Sequence, residues 1–188
     1  MTMLEQRIQQ QFFEAADLFN DAAAVLPRVL ARAAEAIVGC FTAGGKVLVA
    51  GGESGAALAP LLAAAFTHRF ERERPPLAAI ALRHEAPLRL AQQVQALGQP
   101  GDVLLAIDVG GPSAVLLEAV QRGRSQDMVL VVLTGADPGP WSGWLGEADV
   151  LVSVPHARVA RVAETLLLVL HCLCDAVDLQ LMGELETE

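Results

Sequence analysis

Two short glycine-rich segments carry the side chains of this sequence that are best placed for ligand chemistry. The first is Gly51-Gly-Glu-Ser-Gly55, and the second is Asp108-Val-Gly-Gly-Pro-Ser113. Each holds one hydroxyl and glycines that let the backbone approach a bound molecule. Hydroxyls and backbone N–H groups at the start of a helix form a site for anions. The residues expected to contact a ligand are Gly52, Glu53, Ser54, Asp108 and Ser113.

Both segments also carry a carboxylate, Glu53 in the first and Asp108 in the second. A carboxylate about 5 Å from a unit of phosphate charge costs roughly 3 kcal/mol at an effective dielectric near 20, which is on the order of a hundredfold in affinity. If both carboxylates face the ligand, we expect phosphate binding to be abolished. Asp108 lies several residues before the next predicted helix, so Ser113 is the better candidate for its N-cap.

Apolar runs and helical patterns alternate around these segments. The runs predict buried strands at 46–50, 77–82, 103–107, 128–133 and 150–154. Helical spacing predicts helices at 3–24, 27–44, 56–70, 86–97, 113–123 and 157–182. This order predicts an α/β fold, a three-layer sandwich in which helices flank a five-stranded parallel sheet of the flavodoxin-like type. Since ligands bind beyond the carboxyl ends of such strands, both glycine-rich segments lie where a site is expected.

The chain length of 188 residues suits one domain over 1–188. Within it we expect a pair of N-terminal helices for oligomerisation at 1–44, an α/β core at 45–156 and a C-terminal helix at 157–182. The acidic tail at 184–188 is predicted to fray.

Composition and charge exclude several classes of protein. A formal net charge of −9 disfavours direct binding to DNA or RNA. No apolar stretch approaches the roughly 20 residues that span a membrane, and the polar N-terminus is no signal peptide. The 53% hydrophobic content therefore predicts a cytoplasmic homo-oligomer that buries helix faces. Cys40, Cys172 and Cys174 form no disulfide framework and are expected to be reduced core residues rather than metal ligands.

Seven strings along nearly the whole chain resemble one family. They are Gly44-Gly-Lys-Val-Leu48, Arg69-Phe-Glu-Arg-Glu-Arg-Pro75, Ala79-Ile-Ala-Leu82, Ala96-Leu-Gly98, Gly101-Asp-Val-Leu-Leu-Ala-Ile107, Leu133-Thr-Gly135 and His171-Cys-Leu-Cys-Asp175. On these strings the chain is identified as a member of the SIS (sugar isomerase) domain family, which contains phosphoheptose isomerase and the initiator-associating protein DiaA. The strings at 69–75 and 171–175 are more similar to the DiaA branch.

The resemblance also implies where catalytic residues would lie. In phosphoheptose isomerases a Glu and a His act as base and acid, and with a second His and a Gln they hold a metal. The matching residues here are Ala65, His171, Leu61 and Ala163. A single imidazole cannot hold zinc, which takes three or four protein ligands, so no metal or other cofactor is expected. His171 remains the only catalytic candidate, with a hydrogen-bonded residue at a subunit contact as the alternative.

Two further departures concern the surroundings of the site. The segment 83–95 is shorter than the family's and would cover the site less. Arg69, Arg72 and Arg74 are expected in a solvated, mixed-charge turn at the end of a helix, with contact to a neighbouring subunit's ligand as the alternative.

Three functions follow as expectations. The depleted site favours a non-catalytic scaffold that resembles DiaA, forms a homotetramer and associates with the replication initiator DnaA, with Leu181 and Met182 as partner contacts. The alternative is a phosphoheptose isomerase-like enzyme acting on sedoheptulose 7-phosphate, or a protein that binds such a carbohydrate derivative. A third possibility is a sensor of a neutral or cationic sugar, which the two carboxylates would favour.

Overall fold

The computed structural model of the protein describes residues 1–83, 89–111 and 113–184. Part of the shortened segment at 83–95, the residue Pro112 of the second loop and most of the acidic tail lie outside the described residues.

Five parallel strands form one sheet in the order β2-β1-β3-β4-β5, which confirms the predicted sheet. The central strands are apolar and buried because helices cover both faces. The edge strand β2 keeps only three of the six predicted residues, and it pairs with β1 alone. The bounds are β1 Val47–Gly51, β2 Ala79–Ala81, β3 Val103–Asp108, β4 Val129–Thr134 and β5 Val150–Ser153.

Seven helices occupy the described part of the chain, and their order follows the predicted pattern. The third is shorter than expected, since it starts at Leu58 and ends at Thr67, before the charged string at 69–75. A short helix also lies between β4 and β5. The bounds are α1 Met3–Val25, α2 Pro27–Thr42, α3 Leu58–Thr67, α4 Leu90–Leu97, α5 Ala114–Arg124, α6 Trp141–Trp144 and α7 Val159–Met182.

The helices form two layers, one on each face of the sheet, as a three-layer sandwich requires. Helices α1, α2, α3 and α7 pack on one core, and α4, α5 and α6 pack on the other. Alternation along β3 decides which core each side chain enters: Ile107 belongs to the first, and Ala106 to the second. Asp108 therefore points to the second core, where the indole of Trp141 is fully buried.

Among the described helices, none has the length and apolar character needed to cross a bilayer. Cys40 and Cys174 are buried as expected, whereas Cys172 is exposed. Burial raises the pKa of the Cys174 thiol to about 12, and the nearby Asp178 carboxylate adds to this effect. The thiol is therefore protonated at neutral pH and is not a ready metal ligand.

Candidate functional site

The first glycine-rich loop, which follows β1, is pressed against the end of β3. The Gly52 amide donates to the Ile107 carbonyl at 2.9 Å. A Cβ on Gly55 would lie 2.5 Å from that same carbonyl oxygen, so a larger residue cannot occupy the position without a shift of the backbone. Backbone contacts thus fix the loop at the carboxyl edge of the sheet, where a ligand site is expected.

The second loop leads from β3 into α5, and Ser113 caps that helix. Its hydroxyl accepts a hydrogen bond from the Leu116 amide at 3.2 Å, which confirms the predicted N-cap. The N-terminus of an α-helix carries a partial positive charge and free N–H groups. The start of α5 therefore offers donors to an anion at the same edge as the first loop.

The two loops face each other, and each hydroxyl lies against a glycine of the opposite loop. Ser113 Oγ is 3.5 Å from the position that a Cβ would take on Gly52. Ser54 Oγ is 3.2 Å from the corresponding position on Gly110. Gly52, Ser54, Gly110 and Ser113 are thus brought together where the two loops meet, and we call the surface at this junction the crevice.

Asp108 is buried and takes no part in the wall of this crevice as a free carboxylate. Its Oδ2 accepts a hydrogen bond from Trp141 Nε1 at 2.8 Å. Burial raises the pKa of the Asp108 carboxyl, while the Trp141 indole and the nearby Gly111 backbone N–H act in the opposite direction. The sequence offers no local signal for this arrangement, because Trp141 lies at the start of α6, 33 residues further along the chain.

Glu53 is exposed to solvent in the first loop. At the dielectric of water, two unit charges at about 4 Å interact by only about 1 kcal/mol, and salt weakens this further. The electrostatic penalty expected from the sequence is therefore much reduced at Glu53.

His171 is not brought together with the loops of its own chain. It is exposed on α7, and its ring centroid lies 5.5 Å from that of Phe70, just beyond the end of α3. Helix α3 starts beside the first loop and runs for 10 residues, a length of about 15 Å. His171 therefore lies beside the end of α3 that is farther from the first loop.

The residues that match the family's metal ligands do not fit a metal. Ala65 and Ala163 have no donor atom, and Leu61 presents an alkyl side chain that is 54% exposed. Among the described residues there is no group of three or more His, Cys, Asp or Glu side chains that could hold an ion. His171 alone cannot supply the three or four ligands that zinc takes, so no step through a metal is derived for this chain.

Arg74 corrects the prediction of a solvated turn. Its Nε donates to Asp178 Oδ1 at 2.5 Å, and both side chains are almost fully buried. Its Nη atoms donate to the carbonyls of Phe66 and Ala65 at the end of α3. Arg74 thus links the end of α3 to α7, whereas Arg69 is exposed, as expected, and pairs with Glu73.

Leu181 and Met182 close the C-terminal end of α7. Leu181 is partly buried and packs against the first core, and Met182 is 45% exposed. Leu181, one of the two residues predicted to contact a partner, therefore packs inside the fold.

Relatives of known name resemble the chain along its whole length. It is 50% identical to the phosphoheptose isomerase of Methylibium petroleiphilum, with 98% of each chain covered. It is 41% identical to that of a Shewanella species (strain ANA-3), with 99% of this chain and all of the other covered. Among solved structures, phosphoheptose isomerase GmhA from Neisseria gonorrhoeae superposes with a TM-score of 0.86 at 34% identity, covering 94% of this chain and 99% of the other.

These findings correct the predicted function. The prediction of a non-catalytic, DiaA-like scaffold that associates with DnaA is wrong, because full-length relatives at 41–50% identity are phosphoheptose isomerases. The isomerase from Francisella tularensis gives the same result, with a TM-score of 0.87 at 35% identity over 95% of this chain and 99% of the other. These relatives and solved structures favour the alternative prediction, an enzyme or binding protein for phosphorylated sugars.

A model of the SIS domain matches residues 11–135, which cover the first loop, the second loop and the strands between them. The match includes both sides of the crevice and the helix that starts at Ser113. With this match and the full-length relatives, the chain belongs to the phosphoheptose isomerase family of SIS-domain proteins.

Proposed function

We propose that this chain is a cytoplasmic protein that binds a phosphorylated sugar between the two glycine-rich loops and isomerises sedoheptulose 7-phosphate. The observation that carries the proposal is the bond between Asp108 and Trp141. Because that carboxylate is bonded to the indole and Glu53 lies in solvent, the crevice keeps donors that suit a phosphate. The names of the relatives supply the substrate.

The phosphate is assigned to the start of α5. There the backbone N–H groups of the first turn and the helix dipole favour an anion. Ser113 and Ser54 add hydroxyls from the two sides of the crevice, and Gly52 and Gly110 leave the room that those hydroxyls need.

The reaction moves a proton between the two carbons of a ketose–aldose pair, through an enediol. A base takes the proton from the carbon next to the carbonyl and returns it to the former carbonyl carbon, while the two oxygens exchange a proton between them. His171 is the one retained acid–base residue, since Ala65 has no titratable group. We assign both carbon proton transfers to the His171 imidazole, which starts and ends the cycle neutral.

This chemistry needs a second copy of the chain, because His171 packs on Phe70, beyond the end of α3 that is farther from the loops of its own copy, and α3 is about 15 Å long. A cavity at the carboxyl edge, beside Gly110, Thr134 and His156, measures about 200 Å³, less than the roughly 300–1,000 Å³ of ordinary ligand pockets. Both features support a site completed by a neighbouring subunit, in a homotetramer.

The surface for this association is the apolar side of α1. Leu4, Ile8 and Phe12 are spaced by four residues and are between 50 and 72% exposed. Such spacing puts them on one face of the helix. The face continues into an apolar cavity of about 200 Å³ between α1, α2 and α7, beside Phe19 and Leu168. A contiguous exposed apolar surface of this kind is typical of a subunit interface.

The enzymatic proposal is tested by turnover and binding together. We expect the wild-type protein to convert sedoheptulose 7-phosphate to the corresponding aldose phosphate, followed by NMR of 13C-labelled substrate. His171→Gln should abolish turnover and leave binding unchanged, because the imidazole moves the proton and does not hold the phosphate. Ser113→Ala should weaken binding by about tenfold, since it removes one hydroxyl and a helix cap. Absence of both binding and turnover in the wild type would refute the proposal.

The association is tested separately by light scattering. Ile8→Glu places a charge in the proposed interface and should convert the homotetramer to smaller species, with loss of turnover. Gln6→Glu adds the same charge on the opposite side of α1, where the side chain is exposed, and should leave the tetramer intact. A wild-type protein that is monomeric at micromolar concentration would contradict the shared site.

A further inference from the structure

His156 lies at the carboxyl edge of the sheet, and the proposed reaction does not use it. It follows β5, and together with Gly110, Gly111 and Thr134 it lines the cavity of about 200 Å³ at that edge. Gly110 also belongs to the crevice, because the position of a Cβ on it lies 3.2 Å from Ser54 Oγ. The cavity and the crevice therefore meet at the second loop, within one copy of the chain.

Backbone hydrogen bonds hold His156 between the ends of β4 and β5. Its amide donates to the Val154 carbonyl at 2.7 Å, and its carbonyl accepts from the Ala136 amide at 3.1 Å. A Cβ on Gly135 would lie 3.2 Å from the same carbonyl oxygen, so the backbone beyond β4 is packed closely on this residue. The imidazole, which is 29% exposed, is therefore carried by a backbone that both strands fix.

The two ring nitrogens of His156 have different surroundings. Nδ1 accepts a hydrogen bond from the Arg158 amide at 3.1 Å. A ring nitrogen that accepts carries no hydrogen, so the hydrogen of the ring lies on Nε2. Nε2 is 3.8 Å from Glu14 Oε1, which is beyond hydrogen-bond distance, and Arg158 Nη1 holds the other oxygen of that carboxylate at 2.6 Å. Within the described part of the chain, the Nε2 donor thus makes no hydrogen bond and is available to a ligand.

We propose that His156 is a ligand-binding residue that donates a hydrogen bond from Nε2 to a hydroxyl oxygen of the sugar. The phosphate lies at the start of α5, and the sugar chain extends into the cavity. The Asp137 carboxylate, which also lines the cavity, has acceptor positions beyond its bond to the Gly139 amide. A donor and an acceptor together suit hydroxyl groups, whereas a carboxylate repels a phosphate. This inference rests on the proposed function, because it names a contact of the same ligand.

A purely structural role for His156 predicts a different result. In that case the ring only bonds the Arg158 amide before α7, or only attracts Glu14 of α1, and the Nε2 donor is not needed by the ligand. His156→Asn keeps an acceptor near the position of Nδ1 and removes Nε2, since an asparagine oxygen readily accepts from the amide two residues on. His156→Gln does the reverse, because its longer side chain carries the amide nitrogen, a donor, to the position of Nε2.

The experiment is calorimetric titration of sedoheptulose 7-phosphate and of inorganic phosphate, in a His171→Gln parent protein that does not convert the sugar. Adding His156→Asn should weaken the binding of sedoheptulose 7-phosphate by about fivefold, as expected for the loss of one hydrogen bond. The affinity for inorganic phosphate should stay unchanged. His156→Gln should keep both affinities, although urea unfolding should show it to be less stable. The matched control is Glu14→Gln, which removes the neighbouring charge and should change neither affinity.

Each outcome bears on the inference. An affinity for sedoheptulose 7-phosphate that His156→Asn leaves unchanged overturns the inference and leaves the proposed function standing. Equal weakening of both probes by His156→Asn, or a matching loss in His156→Gln or Glu14→Gln, assigns His156 a structural role and overturns it too. If sedoheptulose 7-phosphate does not bind to the parent protein, both the inference and the proposed function are wrong. Should His156→Asn fail to fold by circular dichroism, His156→Ser replaces it with the same expected loss, since a serine hydroxyl also accepts from nearby backbone amides.

Discussion

Arg74→Ala is expected to lower the free energy of unfolding by about 3–5 kcal/mol, the cost of leaving one member of a buried ion pair without its partner. The Arg74 and Asp178 side chains are 1% and 3% exposed, and the donor–acceptor distance is 2.5 Å. Asp178 Oδ2 has no hydrogen-bond partner among the described residues. Removal of the guanidinium would thus strand the whole carboxylate in the protein interior.

The loss extends to the end of α3. The same guanidinium donates to the Phe66 carbonyl at 2.8 Å and to the Ala65 carbonyl at 2.7 Å. These are carbonyls of the last helical turn, which lack partners within the helix. Arg74→Ala therefore removes the Ala65 carbonyl's donor and one of the two donors to the Phe66 carbonyl, which keeps its bond from the Leu77 N–H at 3.0 Å. We expect the turn at 68–73 to loosen together with the contact between Phe70 and His171.

The measurement is urea unfolding followed by circular dichroism, with Arg69→Ala as the control. Arg69 pairs with Glu73 on the surface, where both side chains are at least half exposed. Exposed pairs contribute about 0–1 kcal/mol, so the control should unfold almost like the wild type. A difference between the two variants of less than 1 kcal/mol would show that the buried pair contributes little.

The sheet and its helices were predictable because their signals are local. Runs of four to six apolar residues ending in glycine or a hydroxyl indicate buried parallel strands, and the helices between them show their own period. Ser113 was predictable as an N-cap for the same reason, since a cap depends on its own position before an apolar helix. The carboxyl edge then follows from topology.

Boundaries and long-range pairs were less predictable. The strand predicted at 77–82 is shortened at the sheet edge, where one neighbour is missing and fewer residues are paired. Arg74 was misplaced on the surface because its partner is 104 residues away. In a sequence string with two other arginines and two glutamates, nothing local marks the one side chain that is buried.

The positions of the two candidate-site loops were predictable from the sequence, but the orientation of their carboxylate side chains was not. Glu53 and Asp108 have the same charge and similar surroundings in sequence. Asp108 enters the second core because of strand alternation, and its indole partner lies 33 residues further on. Burial and hydrogen bonding therefore decide what each carboxylate does to a ligand, and both depend on the folded chain.

Function was mispredicted for a related reason. Of the four positions that match the family's catalytic and metal-binding residues, three carry side chains with no atom that could bind a metal or transfer a proton. This loss favoured a non-catalytic scaffold. The rest of the chain retains the features that position a phosphate, including the glycine contacts and the Ser113 cap. Similarity over the whole chain includes those retained features, so it identifies the family although the catalytic and metal-binding residues differ.

Trp141→Ala is expected to destabilise the protein by about 3–5 kcal/mol, the range for removing a fully buried large aromatic side chain. The indole is 0% exposed and belongs to the second core, together with residues of α4, α5 and β3. Its removal leaves a cavity and takes the donor away from Asp108. Trp141→Phe separates these effects, because it keeps most of the ring volume and removes the N–H.

For Trp141→Phe we expect a loss of about 1–3 kcal/mol from the unpaired carboxylate, with a dependence on pH whose sign follows from Asp108. Burial raises the pKa of this carboxyl from 3.8, and the indole bond opposes that rise. Without the bond the folded-state pKa rises further. The stability linked to protonation is complete below the unfolded pKa and is lost as pH rises through the folded pKa.

The difference between Trp141→Phe and the wild type should therefore be small near pH 4 and larger near pH 7, measured by urea unfolding followed by circular dichroism. Trp144→Phe is the control, since that indole is only partly buried and Asp108 does not bond to it. Its effect should be small and independent of pH. A destabilisation by Trp141→Phe that is constant between these pH values would mean that the indole packs against Asp108 without stabilising its charge.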